Sequence, residues 1–265
     1  MTRRVYMAMP LHDGRPEGRA AEAFYATASA RANTHRVQRQ LCNSLLPHAF
    51  NSLWSEALVM ASRGEVDFFA MLHGDMAPDA GWLDTLIDEL EANNAAMISA
   101  IVPIKNDTGL SSTAYCDPRT PWDYTRLTMS EVQRMPETFG NELIKDRDPN
   151  GVLLLNTGCC VMDMRLPCWL EADGDELFFR FEFITRIARR NKVLRAEVLP
   201  EDWLWSLRCQ SRGLKIIATR KVAISHIGKK DFRNDRVWGA MRDTEREQAD
   251  ETIQRINEGC EAACS

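Results

Sequence analysis

Three short apolar runs, residues 5–9 (VYMAM), 66–72 and 95–104, are separated by stretches whose apolar residues recur at helical spacing. That alternation constrains the chain more than any other feature. A buried strand followed by a helix packs back on its sheet as a parallel unit, so the first hundred residues read as an α/β fold with ligand loops at the carboxyl ends of the strands. Pro10 stops the first run, and residues 11–18 read as the loop after it. Residues 22–32 are alanine-rich and predict a helix, and the mixed pattern of 34–42 reads as a strand. Phe50, Leu53, Trp54, Ala57 and Leu58 predict a helix that Gly64 ends, and Trp82, Leu83, Leu86, Ile87 and Leu90 predict another between Gly81 and Asn93.

The rhythm breaks over residues 105–150, where Pro118, Pro121, Pro136 and Pro149 punctuate a polar stretch with a short helix expected near Thr128. This reads as an elaboration over one face of the fold. Residues 151–162 then form a strand-like run, 165–170 a short helical connection, and Pro200 opens a helix that Gly213 stops. A last strand is expected over 214–225, with His226 at its end, and residues from 244 carry helical spacing through Ile253 and Ile256. The pattern contains no repeat and no linker, so the 265 residues read as one domain.

Hydrophobic residues at 45% and charged residues at 27% exclude a disordered or collagenous chain. A net charge of -5 is not that of a non-specific nucleic-acid binder, yet it is unevenly spread. Between Arg180 and Arg236 fifteen Lys and Arg face six acids, a net of +9, which leaves -14 for the remainder. Eight cysteines without a CxxC are too scattered for a disulfide framework, and Cys159 and Cys160 on a strand would point to opposite faces. Reduced thiols in the cytoplasm are the expectation. Pro10, His12 and Asp13 interrupt what begins like a secretion signal. No apolar run approaches the roughly 18 residues of a spanning helix, so membrane contact is expected to be peripheral at most.

Polar clusters stand at three expected element ends: His73-Gly74-Asp75, Glu201-Asp202 and His226-Ile227-Gly228. A hard divalent cation takes a carboxylate and an imidazole while leaving positions for phosphate and water, and a second carboxylate can act as general base. Each cluster also has a plain structural role: a histidine closing a strand, an acidic pair capping a helix, and solvated cations after His226.

In their order these stretches resemble the nucleotide-sugar-dependent glycosyltransferases of the GT-A fold, especially family-2-like members of bacteria and phages. The resemblance rests on residues 68–83 (FFAMLHGDMAPDAGWL) as the strand, Asp-x-Asp motif and following helix, and on residues 5–10 as the first nucleotide-binding strand. It continues in 151–163, with Asn156-Thr157-Gly158, and in 200–208 (PEDWLWSLR) with Gly213 and 222–228. It implies a single α/β domain with a Rossmann-like, mostly parallel central sheet flanked by helices. Its parts would be a nucleotide-binding half near 1–104, the elaboration of 105–150, an acceptor and catalytic half near 151–243, and a helical tail at 244–265.

The implied activity is an inverting transfer of a hexose or pentose from a nucleoside diphosphate sugar to a hydroxyl acceptor, dependent on Mn2+ or Mg2+. Asp75 and His226 would ligate the metal, and Asp202 would deprotonate the acceptor, with Glu201 as the alternative base or its partner. Pro10, His73, Lys105, Lys229 and Arg233 would serve the donor, and Asn156, Thr157, Trp203 and Trp205 the acceptor. The first aspartate of the motif is His73 here, so a carboxylate contact to ribose is absent and His73 takes its place as a hydrogen-bonding group, a ligand or a filler. The acceptor is open among glycans, lipid-linked sugars, proteins and a hydroxymethylated DNA base. Two other readings stand beside this one. A nucleotidyltransferase forming nucleotide sugars calls for a glycine-rich basic loop after the first strand, where Gly14, Arg15, Gly18 and Arg19 stand without forming that motif. A non-catalytic nucleotide- or glycan-binding module calls for no acidic pair.

Overall fold

The computed structural model describes residues 2–190, 193–228 and 231–239. Lys229 and the expected tail at 244–265 lie outside them. The chain begins β1 (Arg3–Leu11), α1 (Gly18–Tyr25), β2 (Thr34–Cys42), α2 (Leu46–Ser62), β3 (Phe68–Leu72), β4 (Met76–Pro78), α3 (Trp82–Ala92) and β5 (Met97–Ala100). It continues with β6 (Leu110–Cys116), β7 (Thr125–Thr128), α4 (Met129–Arg134), β8 (Thr138–Phe139), α5 (Asn141–Lys145), β9 (Val152–Leu154) and β10 (Cys159–Asp163). Two hairpins follow, β11 (Ala172–Asp173) with β12 (Glu176–Leu177) and β13 (Ile184–Arg190) with β14 (Val193–Leu199). Last come α6 (Glu201–Ser211), β15 (Ile216–Thr219), β16 (Ile224–Ile227) and β17 (Asp231–Arg233).

The central sheet has the order β2-β1-β3-β10-β5-β15-β8. Five strands run one way; β10, between β3 and β5, and the edge strand β8 run against them. The sheet is thus mostly parallel, as expected, and the antiparallel β10 within it has a direct consequence. Its amino-terminal end lies at the same edge as the carboxyl ends of β3 and β5, so residues 155–158 join the ligand edge. Cys159 and Cys160 bury on opposite faces, in separate core clusters, as alternation along a strand requires.

Pro10 does not end β1. The Arg3 amide and the Leu11 carbonyl bond toward β2, whereas the Arg4 carbonyl bonds toward β3, so even-numbered residues of β1 face β3. Pairing with β3 stops at Ala8 and Met71, and the donor that proline lacks would have pointed where no partner strand runs. The expected strand over 151–162 is two strands broken at 155–158, and the one over 214–225 divides into β15 and β16. The elaboration is more ordered than its prolines imply. It supplies β6 and β7 of a three-stranded antiparallel sheet completed by β9, the edge strand β8, and α4, whose Thr128 and Glu131 form a reciprocal capping box.

One face of the sheet buries Trp54, Trp169, Phe179, Phe181 and Trp205 in a single aromatic cluster; Trp54 and Trp205 meet edge to face at 5.1 Å and Phe181 stacks on Trp205 at 4.2 Å. The described cysteines form no disulfide. Among the described residues no helix is long and apolar enough to cross a membrane.

Candidate functional site

The pairing of β16 with β4 brings His226 opposite Met76, next to Asp75, and the Ile227 amide donates to the Asp75 carbonyl at 2.8 Å. His226 Nε2 lies 3.3 Å from Asp75 Oδ2, and His226 Nδ1 lies 2.7 Å from the Pro103 carbonyl just past β5. A carbonyl only accepts, so Nδ1 carries the proton and donates. In the neutral imidazole Nε2 then turns a lone pair toward the carboxylate. Two electron-rich groups facing each other at this distance need a positive charge between or beside them.

Lys105 supplies one such charge, its Nζ 2.5 Å from Asp75 Oδ2, with its stem packed against Gly228. Burial pushes the Asp75 carboxyl up, but the hydrogen bond and charge that His226 offers when its ring is doubly protonated, with the hydrogen bond from Lys105, outweigh that and hold it well below the usual carboxylate range. His73 stands behind this group. Its amide donates to the Gly158 carbonyl at 2.8 Å, and its ring lies 5.2 Å from that of Phe50. Nε2 of His73 is buried with no hydrogen-bond partner, and burial lowers the imidazole to about 4, so the ring is neutral at pH 7.

Gly158 links this pocket to the acidic pair. The Gly158 amide donates to Asn156 Oδ1 at 2.6 Å, and Asn156 Nδ2 reaches Asp202 Oδ2 at 3.4 Å. Asp202 sits in the first turn of α6, where its Oδ1 accepts from the Trp203 amide at 2.8 Å. Ser206 fixes the helix to the sheet by accepting from the Leu155 amide at 2.9 Å and donating to the Asp202 carbonyl at 2.9 Å. Desolvation, then repulsion from Glu201, raises the Asp202 carboxyl to about 7 against the opposing pull of the Trp203 amide and Arg126. Burial also raises Glu201. A carboxylate of that basicity can take a proton near neutral pH.

The structure thus joins Asp75, His226, Lys105, His73, Asn156 and Asp202 along one edge of the sheet. It does not bring Arg233 there. Arg233 pairs in register with Ser225, not His226, so alternation puts it on the opposite face, where Asp235 at 2.6 Å and Asp79 at 3.8 Å take its charge. Thr157 is 1% exposed, its hydroxyl buried without a partner. Trp205 belongs to the aromatic cluster at 0% exposure and offers no ring face to a sugar. Trp203 is 1% exposed, donating to the Ser112 carbonyl at 3.2 Å, with Tyr124 against it at 4.4 Å. Pro10 is buried in β1. Two participants carry no sequence signal: the Pro103 carbonyl, because any residue has one, and Arg126, whose guanidinium lies 4.5 Å over the Trp203 ring and whose charge acts on Asp202.

The donor set fits a divalent cation in part. Adjacent ligands of an octahedral ion at about 2.1 Å stand roughly 3 Å apart, close to the observed separation of Nε2 and Oδ2. Among the described residues no group of three His, Cys, Asp or Glu converges, so the other positions would fall to phosphate and water.

No protein-family model matches the chain, and no curated protein matches it. Solved structures similar to it include A197 from STIV, 11% identical with a TM-score of 0.47, covering 90% of this chain and 95% of that one. They also include the CMP:2-keto-3-deoxy-manno-octonic acid synthetase complexed with CTP, 12% identical with a TM-score of 0.38, covering 82% of this chain and 89% of that one. Overlaps of this size carry no argument about what the chain does.

Proposed function

We propose that the chain is a glycosyltransferase that moves a sugar from a nucleoside diphosphate sugar to a hydroxyl acceptor with inversion, using Mn2+ or Mg2+. The observation that carries this reading is the pairing of an oriented imidazole and a carboxylate, His226 and Asp75, at the same sheet edge as the desolvated carboxyl of Asp202. Asp75 and His226 would hold the metal, which supplies positive charge to the departing diphosphate. The Pro103 carbonyl keeps His226 in the tautomer a ligand needs. Lys105, next to Asp75, adds a second cation for the diphosphate once the carboxylate has another partner.

Asp202 takes the acceptor proton as the hydroxyl oxygen bonds to the anomeric carbon. The bond from that carbon to the diphosphate oxygen breaks on the opposite side, its electron pair leaves with the diphosphate, and the proton ends on Asp202. Asn156 holds the second carboxylate oxygen and so orients the base.

The Lys105 contact favours a second reading, a metal-independent site in which the ammonium is the permanent counter-charge of Asp75. One experiment separates the two: thermal unfolding with UDP, GDP, CDP and ADP, with and without Mn2+. Stabilisation by a diphosphate only with Mn2+ supports the first, and equal stabilisation without metal supports the second. No stabilisation under either condition removes both. Pyrophosphate release from a nucleoside triphosphate and a sugar phosphate would identify a nucleotidyltransferase instead.

A further inference from the structure

Of the twelve large hydrophobic side chains exposed among the described residues, six lie between 183 and 198: Phe183, Ile184, Ile187, Val193, Leu194 and Val198. This concentration falls on the β13–β14 hairpin and its approach. The register pairs Thr185 with Val198, Ile187 with Ala196 and Arg189 with Leu194, so Ile187, Leu194 and Val198 share one face, whereas Ile184 and Val193 alternate to the other. Ile187 is 77% exposed, Leu194 62% and Val198 52%. The other face rests on the body: Leu199 packs in the cluster with Ala114, Leu154 and Trp203, and Arg186 lies over the Trp122 ring at 4.0 Å while bonding Glu197. A two-stranded hairpin held on one side therefore turns an aliphatic stripe outward.

Its charge says what the stripe meets. Residues 184–199 hold five Lys and Arg against the single acid Glu197, in a chain whose net charge is -5. Glu197 is bonded to Arg186 on the inner face, so Arg189, opposite Leu194 on the outer face, flanks the stripe without an acid in its own hairpin. We propose that this face docks the protein on an anionic lipid bilayer, with Ile187, Leu194 and Val198 entering the headgroup boundary, Arg189 meeting lipid phosphate and the net positive charge of the hairpin favouring anionic lipid. The outer face itself carries aliphatic side chains, Ile187, Leu194 and Val198, which favour acyl chains over nucleobases, which bind by stacking. A two-fold dimer through the same face would set two hairpins of net +4 against each other. The inference is independent of the transferase reading. Because β14 runs directly into Pro200 and Asp202, docking would hold the candidate site at the lipid surface.

The test is sedimentation of the full chain with vesicles of phosphatidylcholine, or of phosphatidylcholine mixed with phosphatidylglycerol. Partition to the anionic vesicles alone, weakened by salt, is expected. It should fall about tenfold or more in Ile187→Ser/Leu194→Ser and in Arg189→Glu, with thermal unfolding unchanged. No binding, equal binding to both vesicles, or wild-type binding by both folded variants overturns the proposal. So does self-association or duplex DNA binding that the same variants abolish while vesicle binding persists.

Discussion

His226 reaches Asp75 across the β4–β16 pairing with its Nε2 3.3 Å from Oδ2, while its Nδ1 is committed to the Pro103 carbonyl. The ring is thereby oriented from behind by backbone, and neither a swing nor a tautomer change is free. His226→Ala should weaken Mn2+-dependent binding of a nucleoside diphosphate by about tenfold or more, or ~1.4 kcal/mol, in titration calorimetry. Asp75→Asn should do the same. Unchanged metal-dependent affinity in both variants would rule out the assigned ligand pair.

Lys105→Met separates the two forms of the proposal. If the ammonium is the permanent partner of Asp75, the variant loses diphosphate binding whatever metal is added. If metal takes that carboxylate, the variant keeps metal-dependent binding, reduced several-fold by loss of one phosphate contact. The ratio of affinities with and without Mn2+ is the readout.

Asp202→Asn should leave donor affinity within about twofold and lower the transfer rate by roughly a hundredfold to ten-thousandfold, the usual range for a lost general base. In the wild type kcat/KM should climb with pH through about 7, where the raised carboxyl ionises. Stopped product formation at several pH values measures both. A flat profile would show that Asp202 does not carry the proton.

The same carboxyl bears on stability. Its folded value lies above the ordinary one near 3.8, so the folded state holds the proton more tightly than the unfolded chain. This contribution is fully present below about pH 4 and is lost as pH rises through about 7. The Asp202→Asn protein lacks that loss. Its Tm relative to wild type should rise between pH 4 and pH 8, by the equivalent of a few kcal/mol at most, in scanning calorimetry. A constant difference across that range would contradict a desolvated Asp202.

Trp205→Ala removes the centre of the aromatic cluster and should cost about 3–5 kcal/mol by denaturant unfolding, without selectively changing diphosphate affinity in the folded protein. A sugar-stacking role would instead appear as a raised KM at nearly unchanged stability.

The sequence by itself determined the alternation of buried strands and amphipathic helices, because burial on both faces of a sheet and on one face of a helix leaves a periodic mark at each residue. It also marked Asp75, Asp202 and His226, each at an element end where a polar group follows an apolar run. Only the tertiary structure decided which of the marked residues meet. The antiparallel entry of β10 brought Asn156 and Gly158 to the ligand edge, and strand alternation sent Arg233 to the far face while keeping His226 on the near one. Tryptophans beside Asp202 read as sugar platforms because composition is blind to facing, and packing turned Trp205 into the core. Lys105 acquired its partner, and His226 its anchor on Pro103, through contacts between residues 30 and 123 positions apart, a separation at which local pattern carries no information.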